Sequence, residues 1–193
     1  MKLSKKGEYA LRALIDLGLA AEVGRSLAQV SEIAAKQRIP IKFLEQIMQV
    51  LKEGRLVESQ RGKYGGYRLA RPAAKITIGE VVRLIDGPLA PIGCVSQTAY
   101  EKCSCPDEVH CGLRMLMLDV RNAIAGILDR YTLADVVEVT LRKMRRDQVP
   151  LPFANPARPL PVRVKAKTKP RPARLHLNEA EGILSNLLTD YTI

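Results

Sequence analysis

Residues 33–71 read "IAAKQRIPIKFLEQIMQVLKEGRLVESQRGKYGGYRLAR". Two helical patterns meet at the "RIP" of residues 38–40. A short helix spans Val30 to about Gln37. A longer one starts near Pro40, a residue tolerated at the first helical position, and stops at Gly54. Ile33, Ala34, Ile39, Phe43, Leu44, Ile47 and Leu51 supply the buried side. Two helices joined by a tight turn suggest a helix-turn-helix. Residues 55–71 read as strand, tight loop, strand: Leu56, Val57 and Ser59 lead in, and Tyr67 and Leu69 lead out. Gly62, Gly65 and Gly66 permit the positive φ angles of a hairpin tip. The tip carries Arg61, Lys63 and Tyr64, with Arg68 and Arg71 close behind. The alternative is an ordinary exposed hairpin with a solvated charged face. Order, spacing and charge favour a winged helix.

Upstream, Ser4 caps a first helix from about Lys5 to Ala21, with an apolar stripe of Tyr9, Ala10, Ala13, Leu14, Leu17 and Ala21. Downstream, "TIGEVVRLIDG" is a capped helix. Thr77 and Glu80 suit a capping box, and Gly87 ends it. Leu113, Leu116, Met117, Val120, Ala123, Ile124, Ile127, Leu128 and Tyr131 then line one side of a helix of about nineteen residues, roughly 28 Å long. It lies beyond a complete small domain, so a second subunit's copy is its expected partner. Thr132 caps one more helix, to about Asp147. The expected fold is mainly α with a small β-hairpin wing. Its parts are a winged helix-turn-helix domain at 1–87, a cysteine-rich loop at 88–112, a dimerisation region at 113–147 and a basic, proline-rich tail at 148–193.

Composition narrows the function. The 193 residues carry a net charge of +11, which points to nucleic acid or an anionic surface. No apolar run approaches a membrane span, and "MKLSKKGEYA" is no signal peptide, so a cytoplasmic location is expected. There are two histidines, no Gly-x-Ser-x-Gly and no phosphate loop, so no enzyme is expected. All four cysteines fall in "GCVSQTAYEKCSCPDEVHC", residues 93–111. In the reducing cytosol such a cluster means metal or redox chemistry more often than disulfides. Thiolates are soft ligands suited to iron–sulfur clusters or zinc, and four sulfurs can close a tetrahedral zinc site. The tail from 148 to 175 has seven prolines, seven basic residues and no acids. It cannot bury a core and is expected to be extended or disordered. "NEAEGILSNLLTDYTI" can recover a short terminal helix.

"MKLSKKGEYALRAL", "IAAKQRIPIKFLEQI", "RGKYGGYRLA", "ITIGEVVRLIDG" and the cysteine loop occur in this order over roughly residues 1–140. Together they resemble the bacterial winged-helix regulators of the IscR, NsrR, RirA and CymR type, the Rrf-two family. The resemblance implies a homodimer on a pseudo-palindromic DNA operator. Several members hold an iron–sulfur cluster, 2Fe-2S or 4Fe-4S, before the dimerisation helix. It further implies Cys94, Cys105 and Cys111 as ligands, with Cys103 as substitute for Cys105 or as a nearby resolving thiol. The first gap is longer than usual in the family. IscR-like proteins take a histidine three residues beyond the last cysteine, where this chain has Arg114. His110 is not at the matching spacing. NsrR-like proteins take an N-terminal carboxylate, which Glu8 matches. Glu8 reads equally as an exposed first-turn acid stabilised by the helix dipole. Ligation by both Cys103 and Cys105 is a third possibility.

Lys42, Glu45, Gln46 and Gln49 recur at three- and four-residue intervals and can share an exposed face. Glutamine can pair with adenine, and glutamate can accept from cytosine. "LEQ" at 44–46 resembles the family's base-reading segment, and Arg61 its minor-groove wing arginine. Lys63, Arg68 and Ser31 suit phosphate. A solvated face remains open for Lys42 and Gln49. The expected function is a cluster-based sensor of redox, nitric oxide or iron status that regulates transcription. A zinc- or thiol-based regulator and, more remotely, an electron carrier are the alternatives.

Overall fold

The computed structural model describes residues 2–62 and 64–153. They fall into two compact units: 2–89 with 125–153, and 90–124. Lys63 and the residues from 154 on lie outside the described ones, and so does most of the tail. The winged-helix core and the β-hairpin expected above are both present.

In the first unit, α1 (Lys5–Glu22) is capped by Ser4, whose Oγ accepts from the Gly7 amide at 2.9 Å. Ala10, Ala13, Leu14 and Leu17 are buried as the stripe requires, whereas Tyr9 is half-buried and Ala21, in the last turn, is exposed. Asp16 is the exception, a carboxylate only 1 % exposed on the same helix. Lys36 Nζ and Gln37 Nε2 (2.8 Å) from α2 (Val30–Gln37) donate to it. A buried charge is tolerated only when paired in this way, so this ion pair fixes α2 against α1.

The helix-turn-helix corner is made by Arg38 in the left-handed region (φ 54°), with the Ile39 amide donating back to the Ala34 carbonyl at 3.0 Å. Pro40 is the N-cap of α3 (Ile41–Glu53), one residue outside the helix rather than at its first position. Leu44, Ile47, Met48 and Leu51 are buried on one side of α3, while Phe43 is half-buried and edge-on to Tyr9 at 5.8 Å. Gly54 follows the helix, yet its φ is −73°; Arg55 takes the left-handed conformation instead (φ 56°). Glycine is needed at 54 for another reason: a Cβ there would lie 2.3 Å from Leu84 Cδ2.

The wing is β1 (Val57–Gln60) antiparallel to β2 (Gly66–Leu69), with Val57 opposite Leu69 and Gln60 opposite Gly66. Ala28 adds a short third edge through a reciprocal pair of bonds with Tyr67. Of the three tip glycines only Gly62 has a positive φ (117°). Gly65 and Gly66 serve close approach: their Cβ atoms would stand 2.3 Å from the Gln60 carbonyl and 2.6 Å from that of Ala28.

Thr77 caps α4 (Ile78–Asp86), accepting from the Glu80 amide at 3.1 Å. The expected capping box is only half made, because the Glu80 carboxylate pairs with Arg71 instead. Gly87 ends the helix at φ 85°. Asp86 turns back to Ser4, accepting from its amide at 3.0 Å and from its hydroxyl, and so ties the end of α4 to the start of α1.

α6 (Leu133–Arg146) starts with a complete capping box between Thr132 and Asp135. Leu133, Val137 and Leu141 join the core around α1 and α3. The sequence reading groups 113–147 as one dimerisation region, whereas the structure places α6 in the winged-helix unit. Its apolar side is what completes that core. α6 ends with Gln148 left-handed (φ 53°) and the Val149 amide bonded to the Met144 carbonyl at 2.9 Å. This stop turns residues 149–153 back onto the unit, where Leu151 and Phe153 pack against the core.

The second unit has little regular structure before α5 (Gly112–Arg130), which belongs in part to each unit. Residues 93–95 form one 3-10 turn. α5 has the expected nineteen residues. The only buried residue on it is Arg121; Leu113, Met115, Leu116 and Ile127 are exposed.

Candidate functional site

Two sets of candidate residues emerge. The first is the outward face of the winged helix. Lys42, Glu45, Gln46 and Gln49 are all exposed on the side of α3 opposite its buried residues. Glu45 stands 3.6 Å from Lys42, and Gln49 Nε2 donates to Glu53 Oε1 at 3.0 Å. These contacts lie along the helix surface and leave Gln46 pointing to solvent with its neighbours restrained. At the wing, Arg61 is exposed and Tyr64 is 82 % exposed. Lys63, expected on phosphate, lies outside the described residues. Arg68 sits opposite Glu58 in the hairpin and donates to its carboxylate through Nε at 3.0 Å and a terminal nitrogen at 2.8 Å. A phosphate at Arg68 must therefore share the guanidinium with Glu58. Ser31 is exposed in the first turn of α2, where amide hydrogens face outward.

The second set is the thiol loop, and all four cysteines are free. The loop brings them into a string of neighbours. Cys94, set in the 3-10 turn and buried, is next to Cys103; Cys103 is next to Cys105; Cys105 Sγ is 3.9 Å from Cys111 Sγ. Burial, then the nearness of Cys103, raises the Cys94 thiol. Backbone and thiol donors of Cys105 lower that of Cys103. Cys105, between Cys103 and Cys111, is pushed up to about 11. The sequence leaves the middle ligand open between Cys103 and Cys105, and the geometry brings both into the string. Among the described residues, no group of three or more His, Cys, Asp or Glu is arranged to hold a single metal ion.

Three other residues weighed from the sequence have partners of their own. Glu8 accepts from Lys5 Nζ at 2.8 Å and lies 3.3 Å from Arg12. These cations, Lys5 foremost, hold its carboxyl below the usual range. Ligation by Glu8 would have to displace them. His110 is turned to Asp107 (Nδ1 to Oδ2, 2.7 Å), within a turn whose amides at 109 and 110 also donate to Asp107. Arg114 Nε is 3.2 Å from Glu108 Oε1, at ion-pair distance but out of line for a hydrogen bond.

Glu108 itself escapes the sequence reading. Its carboxylate accepts from the Tyr100 hydroxyl at 2.8 and 3.0 Å, and its charge acts on both Cys94 and Cys103. Tyr100 and Glu108 lie in irregular loop and Arg114 in α5, so it is the fold of the loop that brings them together.

Comparison with known proteins places the chain. The profile of the Rrf2 family, described as iron-dependent transcriptional regulators, matches residues 3–139. The rrf2-like HTH-type regulator of Rhodobacter capsulatus is 38% identical over 139 residues, covering 70% of this chain and 91% of that protein. The CymR regulator of Bacillus subtilis is 32% identical over 140 residues, covering 72% and 92%. Its solved structure, titled as the global cysteine regulator, superposes with a TM-score of 0.60 over 72% of this chain and 98% of that one. The IscR of T. potens gives a TM-score of 0.56 at 29% identity, over 72% of this chain and 88% of that one. These relatives are regulators rather than enzymes, and among the described residues no helix is long and apolar enough to cross a membrane. The winged helix and the match over residues 3–139 agree: the chain belongs to the Rrf2 family of transcriptional regulators.

Proposed function

We propose that this chain acts in the cytoplasm as a homodimer on a pseudo-palindromic operator, and that an iron–sulfur cluster held by its cysteine loop sets its DNA binding. The observation that carries the reading is the string of four unpaired thiols at Cys94, Cys103, Cys105 and Cys111. A single tetrahedral zinc at about 2.3 Å from each sulfur needs all four within roughly 3.8 Å of one another. A string of neighbouring thiols suits a larger, polynuclear group better, and thiolate is the donor such clusters use. Cys94, Cys105 and Cys111 would hold it. Cys103 is the favoured fourth ligand, since it lies within the string while Glu8 and His110 are engaged elsewhere. When bound, the cluster supplies a centre open to O₂, nitric oxide or iron loss.

The chain's own residues supply the coupling. The loop leaves α4 at Gly87 and returns to α5 at Gly112. The start of α4 is joined by backbone bonds to the α5–α6 junction (Ile78 to Tyr131 at 2.9 Å, Leu133 to Ile76 at 2.8 Å). Arg83 donates twice to Asp129, each time at 2.7 Å. The loop is thus continuous in sequence with α4 and with α5, whose last turn is braced to α4. The exposed apolar residues of α5 are what a second copy would bury.

The test is operator binding by anaerobic protein, repeated after exposure to air or nitric oxide. Wild type should change affinity, and Cys111→Ala should show a single, exposure-independent affinity. A wild type indifferent to both agents refutes the sensor. A second reading rests on one observation, the 3.9 Å between Cys105 and Cys111, sulfurs that oxidation by air would join at about 2.05 Å. Under that reading the response persists in metal-free protein and dithiothreitol reverses it.

A further inference from the structure

α1, α2, α3 and α6 stop in the same way. One residue turns left-handed, and the amide after it donates to a carbonyl five residues back. Arg25 reaches Ala20 at 2.9 Å, Ile39 reaches Ala34 at 3.0 Å, Leu56 reaches Leu51 at 2.9 Å and Val149 reaches Met144 at 2.9 Å. The left-handed position suits glycine, which has no Cβ to crowd the backbone. α1 uses Gly24 there (φ 77°) and α6 uses Gln148 (φ 53°). α2 and α3 use Arg38 (φ 54°) and Arg55 (φ 56°). The residue that each stop packs into the core is the next one, Ile39 or Leu56, and both are buried. Both arginines are exposed. Each therefore strains the backbone without filling space in the core, and strain of this kind gathers where a side chain has work to do.

The other arginines of the winged-helix unit are engaged. Among residues 2–89, Arg12, Arg25, Arg68, Arg71 and Arg83 each pair with a carboxylate. Arg38, Arg55 and Arg61 are exposed and pair with none among the described residues. Arg61 belongs to the wing tip. Arg38 and Arg55 stand at the two ends of α3, whose exposed face carries Lys42, Glu45, Gln46 and Gln49. α3 has thirteen residues, so it is about 20 Å long. The major groove of a DNA duplex is about 12 Å wide. A helix of that length crossing a groove of that width carries its ends over the phosphate walls. Uncommitted guanidinium groups at those ends match one chemistry, backbone phosphate.

We propose that Arg38 and Arg55 are the phosphate contacts of α3, one at each end, and that they hold the helix in register on the duplex without reading bases. The proposal rests on DNA binding and not on the cluster, so it can be measured with the cysteine loop in any state.

Glycine is the informative substitution, because it relaxes the left-handed backbone while it removes the charge. Arg38→Gly, Arg55→Gly and the double variant are made in the full-length protein. Binding is titrated against salt on a duplex selected for affinity and on a random-sequence duplex. The glycine variants should unfold no earlier than wild type. The log–log salt slope should fall in magnitude by about 0.9 per arginine per bound chain, and by about 1.8 in the double variant, on both duplexes alike. Arg38→Lys/Arg55→Lys keeps both charges and should keep the wild-type slope. A double glycine variant with the wild-type slope overturns the proposal. A loss confined to the selected duplex overturns it by making the two residues base readers. Lysine variants as weak as the glycine ones overturn it too, because charge would then not be what the duplex meets. Earlier unfolding of the glycine variants would assign the two side chains to the fold instead.

Discussion

The two units differ in what holds them. Residues 2–89 with 125–153 bury Leu14, Leu19, Ile33, Leu44, Ile47, Met48, Leu51, Leu56, Ile76 and Leu133 almost completely. Residues 90–124 bury Cys94, Val95 and one arginine, Arg121, whose Nε has no hydrogen-bond partner. Apolar burial dominates folding, so the winged helix has a form of its own. The cysteine loop lacks the apolar mass to fix four thiols by packing, and turns of the Asp107 and Glu108 kind carry what order it has. The winged-helix unit is held by apolar packing, and the segment proposed to sense conditions by polar turns.

The contrast breaks most directly in the core. Leu44→Ala removes a fully buried side chain from α3 and should cost about 2–5 kcal/mol in denaturant unfolding. A loss well under 1 kcal/mol would mean the winged helix is not the well-packed unit described. Gly18→Ala tests whether α6 belongs to that unit. Its Cβ would lie 2.5 Å from Val137 Cγ2, so overpacking should cost roughly 1–3 kcal/mol by the same measurement. A neutral result would separate α6 from α1. Arg61→Ala should leave stability unchanged and weaken operator binding by about 1–3 kcal/mol. Equal losses on operator and random DNA would assign Arg61 to phosphate instead of a groove.

The smallest effect concerns acid. The Arg83 guanidinium holds the Asp129 carboxyl below the usual range. A lowered carboxyl stabilises the fold above its unfolded value near pH 4, and that contribution fades as pH falls through the lower, folded value. The pair is partly exposed, so roughly 0.2–1 kcal/mol is at stake. Asp129→Asn should therefore lower the melting temperature slightly at pH 7 and by less below pH 4. A difference that grows towards acid would contradict the assignment.

The helix-turn-helix and wing were legible because their signals are local and periodic. The stripes of α1 and α3, the "RIP" corner and the caps at Ser4 and Thr132 each bind residues within a few positions of one another. Glycine roles were harder. Gly54, Gly65 and Gly66 are small because Leu84, Gln60 and Ala28 come close, and sequence shows a glycine without its neighbour. The same holds for Glu80, whose spacing suits a capping box but whose charge finds Arg71 nearer. α6 reads as a separate helix capped by Thr132, but its apolar side gives no sign of which helix covers it, so the sequence groups it with α5 in the dimerisation region. In the loop, the cysteines were obvious as donors. Glu108 was not, since its link to Tyr100 and to two thiols arises from the path of an irregular loop.

The central claim is that the cysteine loop holds an iron–sulfur cluster. Anaerobic purification of the full-length protein, with an absorption spectrum and iron, zinc and acid-labile sulfide analysis, tests it most directly. The expected protein is coloured and contains iron and sulfide, and Cys94→Ala or Cys111→Ala abolishes the colour while the winged helix still unfolds cooperatively. A colourless protein with stoichiometric zinc and no sulfide would contradict it.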